Sequence, residues 1–286
     1  MSLLLASLLP SLAAGGCDAK PRQEQQVSTA DAGADAGAPV SPEARDGSAP
    51  PSCPDGMARV EDFCIDRYEA HLVDGDAPDR VLEPFERPEA WVRIMARSRA
   101  GSIPQAYLNR FEAAKACGAA GKRLCRAKEW YRACAGAHSL RYPYGNSQAR
   151  GRCNTDKEHV MQKVFGKGIE FTFADHYNSP RLNREPGFLA PSGAYADCVS
   201  EDGVGDMVGN LHEWVADPMS LDLRHEVPLE IGVAQLGARG NGIFMGGYYS
   251  SHGEHGAGCA YATTNHKPDY HDYSIGFRCC TGERPP

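Results

Sequence analysis

Eleven cysteines in 286 residues constrain this chain more than any other feature. They stand at positions 17, 53, 64, 117, 125, 134, 153, 198, 259, 279 and 280, and no two form the C-x-x-C pair that zinc sites favour. A reducing cytoplasm keeps thiols free, so this number points to disulfides formed outside it. Cys53 and Cys64 flank strand-like residues and are placed to close a hairpin, while Cys153 and Cys198 are placed to clamp the loops around them. Setting Cys17 aside leaves an even remainder, as a fully paired set requires.

Cys17 has its own reading. Residues 2–16 carry Leu3-Leu4-Leu5, Leu8-Leu9 and Leu12-Ala13-Ala14-Gly15-Gly16, an apolar run too short to span a bilayer as a stable helix. Residues 1–17 therefore read as a signal peptide. The small residues before Cys17 resemble a bacterial lipobox, whose cysteine is acylated and becomes the mature N-terminus. No Lys or Arg precedes the run, which keeps plain secretion as the alternative. Residues 18–52 are rich in Ala, Gly, Pro, Ser, Gln and Asp, hold almost nothing bulky and apolar, and read as a disordered tether.

The remainder, residues 53–286, reads as one irregular domain, and a hydrophobic content of 42% over the chain is ample for its core. A formal net charge of -7 supplies no basic field for phosphate backbones or anionic lipid, so nucleic acid is excluded as a partner and a membrane enters only through the lipid anchor. Cys53-Pro54-Asp55-Gly56 is a turn signal, and strand-like alternation follows to Glu69. Residues 72–105 show weak periodicity and read as mostly loop. Asn109 with Glu112 three residues on forms a capping box, predicting a helix from Asn109 to Cys117 that ends at Gly118. Ala127, Trp130, Ala133 and Cys134 share one face of a second helix stopped by Gly136. Its start lacks a capping side chain, since Arg126 stands there. Residues 145–203 read as long surface loops, and Ile243–Tyr249 and Ser274–Cys280 as strands.

Gly205-Asp206-Met207-Val208-Gly209-Asn210-Leu211-His212-Glu213-Trp214-Val215-Ala216-Asp217 is too apolar for a solvated loop and reads as a buried turn, broken by two glycines that permit conformations closed to other residues. Asp206 and Glu213 lie among its apolar residues, where a carboxylate needs a cation or several donors to offset lost hydration.

Val208-Gly209-Asn210 with Glu213-Trp214 resembles the V-G-N-x-x-E-W signature of the formylglycine-generating enzymes, or sulfatase-modifying factors. Gly121-Lys122-Arg123-Leu124 with Glu129-Trp130, Tyr142-Pro143-Tyr144-Gly145-Asn146 and Gly276-Phe277-Arg278-Cys279 resemble three further blocks in the same order. The resemblance implies an irregular, loop-rich α+β fold, related to C-type lectins and low in regular secondary structure. It implies disulfides Cys117–Cys279 and Cys134–Cys259; Cys125–Cys280 follows as a neighbouring pair, with Cys279 and Cys280 interchangeable, and Cys53–Cys64 and Cys153–Cys198 complete the set. It implies a calcium ion held by Asp206, the carbonyls of Gly209 and Leu211, and Glu213, with a second ion at Asn154 and Thr155. Oxygen donors of this kind suit a hard cation. The alternative is a turn in which Asp206 caps backbone amides and Glu213 pairs with an arginine.

The family's reactive centre is a closely spaced cysteine pair after the Gly-Gly strand, which binds copper. Here Gly246 to Gly258 carries Ser250, Ser251, His252, Glu254 and His255 and no cysteine, so copper is not expected. The expectation is a calcium-stabilised binding module for a protein, peptide or glycan, without a catalytic residue. The alternative is a metal-dependent oxidoreductase whose metal is held by His252 and His255 with Glu254, His266 or His271.

Overall fold

The computed structural model describes residues 52–230, 237–252 and 258–282. Cys17, Glu254 and His255 lie outside the described residues, as do the signal peptide and nearly all of the tether. The domain opens with an antiparallel hairpin of β1 (Met57–Val60) and β2 (Phe63–Asp66), in register from Met57↔Asp66 to Val60↔Phe63, and the Cys53–Cys64 disulfide closes it.

The stretch read as loop contains a second antiparallel ribbon, β3 (Ala70–Asp74) with β4 (Ile94–Ser98). Ala70, Leu72, Ile94 and Ala96 bury one of its faces in a shared apolar cluster, and this packing outweighs the Pro, Asp and Arg content of the connection between the strands.

Helix α1 spans Arg110–Ala119 and keeps the capping box: Asn109 Oδ1 accepts from Glu112 N at 2.9 Å, and Glu112 Oε2 accepts from Asn109 N at 3.0 Å. After the short β5 (Arg123–Leu124), helix α2 spans Ala127–Ala135. Its N-terminus is capped from outside its own sequence, because Asp217 Oδ2 accepts from Ala127 N at 2.6 Å while Glu129 Oε2 accepts from Arg126 N at 2.8 Å. Residues 145–203 hold three short turns within their loops: α3 (Val160–Phe165), a π-helical turn (Phe173–Tyr177) and α4 (Arg181–Arg184).

The central segment contributes β6 (His212–Trp214), an inner strand of a sheet ordered β8-β7-β6-β9. Its other strands are β7 (Phe244–Gly246), β8 (Gly258–Thr263) and β9 (Ile275–Phe277), with β9 parallel to β6; α5 (Leu223–Glu226) precedes β7. Immediately after Arg278 the chain enters β10 (Cys279–Thr281), which joins the other sheet in the order β1-β2-β10-β5. Arg278 is thus the single residue between the two sheets.

Three disulfides fasten α1, the start of α2 and the end of α2 to the last strands: Cys117–Cys279, Cys125–Cys280 and Cys134–Cys259. Cys153–Cys198 clamps the long loops. Five disulfides are consistent with an extracytoplasmic protein, and among the described residues no helix is long and apolar enough to cross a membrane.

Candidate functional site

Every residue from Gly205 to Val215 is buried. Left-handed backbone occurs at Asp206 (φ 56°), Gly209 (81°) and Asn210 (55°), while Gly205 does not adopt it. Asp and Asn tolerate this region better than most side chains do. At Gly209 a Cβ would stand 2.3 Å from the Asn154 carbonyl oxygen, so the two segments pack closer than any other residue allows.

The carboxylates of this segment meet a guanidinium. Glu213 Oε1 accepts from Arg278 Nη2 at 2.6 Å, and Oε2 accepts from Arg278 Nε at 2.6 Å and Trp130 Nε1 at 2.8 Å. Arg278 also donates to the carbonyls of Asp66 (3.1 Å) and Gly205 (3.0 Å), and its side chain is fully buried. Asp206 Oδ2 accepts from Gly193 N at 2.6 Å.

A third carboxylate, Glu69, escaped the sequence reading. It accepts from Asn210 Nδ2 at 2.6 Å and Leu211 N at 3.1 Å and is fully buried. One acidic residue closing a strand-like run carries no linear signal of such a role. Burial first, and then the negative charges of Asp206 and Glu213, push its acid well above the usual carboxylate range. Burial likewise raises Asp206 to about 6. One guanidinium therefore faces three carboxylates, two of which are held toward their protonated forms.

Glu213 does not fit the calcium set expected for it. Arg278 occupies both of its oxygens and neutralises the charge that it would bring to a cation. Among the described residues no three His, Cys, Asp or Glu side chains gather in a group able to hold a metal ion. Asn154 fits better. Its Nδ2 donates to Phe188 O and Asn210 Oδ1, both at 2.8 Å, yet its Oδ1 is buried without a donor. Beside it, Thr155 Oγ1 donates to Asp156 Oδ2 at 3.0 Å. An orphaned amide oxygen, followed in the chain by a hydroxyl and a carboxylate, supplies hard donors of the kind that calcium takes.

The loop after Gly247 is turned inward. Ser250 Oγ donates to Glu158 O at 2.9 Å, Ser251 Oγ accepts from Tyr248 N at 3.0 Å, and both serines are buried. His252 is exposed, its Nδ1 lying 3.4 Å from Asp156 Oδ1. The other candidate histidines go elsewhere: His266 stacks between Phe244 and Tyr270, and His271 Nδ1 meets Asn178 Oδ1 at 2.7 Å while its Nε2 meets Arg87 at 3.1 Å. Among the described residues His252, His266 and His271 thus share no hydrogen-bond or ring partner, although Asp272 acts on both His266 and His271. His212, also missed, packs against Phe244, Tyr248 and Tyr261, and burial lowers its pKa to about 3.

Among solved structures, the chain is similar to PvdO from Pseudomonas aeruginosa, at 19% identity and a TM-score of 0.44 over 77% of this chain and 80% of that one. It is similar to CarF at 15% identity and a TM-score of 0.44, over 78% and 87% respectively. A Major Tropism Determinant, variant U1, matches at 17% identity and a TM-score of 0.40 over 80% of this chain and 53% of that one. No curated protein matches. The family model of the sulfatase-modifying factor enzyme 1-like domain matches residues 54–282, the span that holds all four motif blocks: the chain belongs to this family.

Proposed function

We propose that the domain is a binding member of its family, held at the cell envelope through an acylated Cys17, and does not generate formylglycine. One observation carries the reading: all ten cysteines from Cys53 to Cys280 are consumed in disulfides, and none falls between Gly246 and Gly258. A serine hydroxyl is neither a soft ligand for Cu(I) nor ionised near neutral pH, so Ser250 and Ser251 do not replace thiolates. The loop face that presents His252 and Asp156 is the binding surface for a protein, peptide or glycan. Incubated with copper, oxygen and a sulfatase-type peptide carrying its target cysteine, the protein yields no formylglycine by mass spectrometry; turnover by the unmodified chain would sink the reading.

Calcium belongs to this proposal at Asn154 and Thr155, supported by the orphaned Oδ1, in preference to Glu213. An ion bound only by the folded state stabilises it by mass action. Chelation therefore lowers the melting temperature, and Asn154→Ala removes that dependence while Glu213→Gln retains it. An unchanged melting temperature in chelator, with no calcium in the purified protein, would remove the ion from the account.

A further inference from the structure

We propose that a second cleft, remote in its residues from the loop after Gly247, binds a small zwitterion such as a short peptide with free termini. The cleft has a volume of about 500 Å³, within the range of small-molecule sites. Its walls come from the β1–β2 turn, α2, Asp217 after β6, and α5. It shares no lining residue with the Ser250–His252 loop or with Asn154, so it goes beyond the loop-face reading and stands or falls separately.

Several charged residues of the cleft are already committed. Arg132 pairs with Glu61 at 2.7 Å and Asp202 at 2.9 Å, Glu129 pairs with Arg123 at 2.5 Å, and Asp217 caps α2. Four are not. The side chains of Arg126, Lys128, Asp62 and Glu226 all line the cleft and have no hydrogen bond or ion pair among the described residues, and no cation–carboxylate pair among them closes to 4.0 Å. Opposite charges that share a concavity without meeting leave room for something between them. A ligand with a carboxylate and an ammonium satisfies both signs of charge, while Phe63, Tyr131 and Leu223 line the same cleft with apolar surface for the rest of it. Arg126 supplies a planar fork suited to a carboxylate, and Lys128 a mobile point charge beside it.

The test is calorimetric titration of the full-length chain with the dipeptide alanyl-leucine at low salt. Binding is expected, weakened tenfold or more by N-acetylation of the peptide, by its C-terminal amidation, and by Arg126→Ala combined with Lys128→Ala. Because these side chains make no hydrogen bond or ion pair among the described residues, the double variant is expected to keep the melting temperature of the parent, which separates lost binding from lost fold. Arg126→Lys alone weakens binding less than the double substitution, because it keeps the charge and loses the fork. No detectable binding at millimolar peptide, equal binding of the doubly capped peptide, or binding unaffected by the double substitution would each overturn the proposal, whatever the outcome of the formylglycine assay.

Discussion

Arg278 is the residue on which the buried charges balance. A guanidinium is weakly hydrated and always charged, so it enters a core at lower cost than an ammonium, and its fork meets a carboxylate with two hydrogen bonds. Removing one member of such a pair costs about 3–5 kcal/mol, because the partner stays buried and uncompensated. Arg278→Met is accordingly expected to lose that much in urea denaturation, and adding Glu213→Gln recovers part of the loss. A loss below about 1 kcal/mol would mean that Glu213 is balanced by something else. The sequence left two readings of Glu213, calcium or an arginine, because a linear pattern shows a buried acid and does not show what faces it. Arg278 stood in a quoted block, yet 65 positions separate it from Glu213 and only the pairing of β6 with β9 brings them together.

Helix α2 shows the same limit one scale up. Its apolar face and its stop at Gly136 are local and were legible, as was the complete capping box of α1. Its cap was not, since Asp217 lies 90 positions from Ala127. Loss of a cap typically costs about 1 kcal/mol. Asp217→Ala should lower stability by that amount, and Arg126→Ser should restore most of it: Arg126 already holds the extended backbone of an N-cap residue, φ -77° and ψ 156°, from which a serine oxygen reaches the first turn. Thermal melts of the two single variants and the double variant decide this, and additive losses would exclude the exchange of caps. The ribbon β3–β4 was illegible for a different reason. Its alternation covers five residues in each strand, and the polar connection between them dilutes any periodicity read across the segment.

At the scale of the molecule, what the sequence made plain was the inventory, ten cysteines in a family-like frame, and what it left open was how Cys279 and Cys280 divide between α1 and α2. The arrangement of strands decides it: Cys279 lies opposite Leu124 and Cys280 opposite Arg123 in the pairing of β10 with β5, and the adjacent side chains leave the strand on opposite faces. Peptide mapping without reduction should recover Cys117 with Cys279 and Cys125 with Cys280. This connectivity also bears on how the protein is made. As the chain is delivered from its N-terminus, Cys117, Cys125 and Cys134 reach the oxidising compartment together, and their native partners follow 162, 155 and 125 residues later. Oxidation faster than delivery couples early cysteines to one another, and each such error is undone only by thiol–disulfide exchange. The reduced, denatured protein should therefore regain native bridges in a glutathione redox pair far better than in oxidant alone; equal yields would mean that the fold assembles before any cysteine reacts. A cell that exports this domain needs a disulfide isomerase as much as it needs an oxidase.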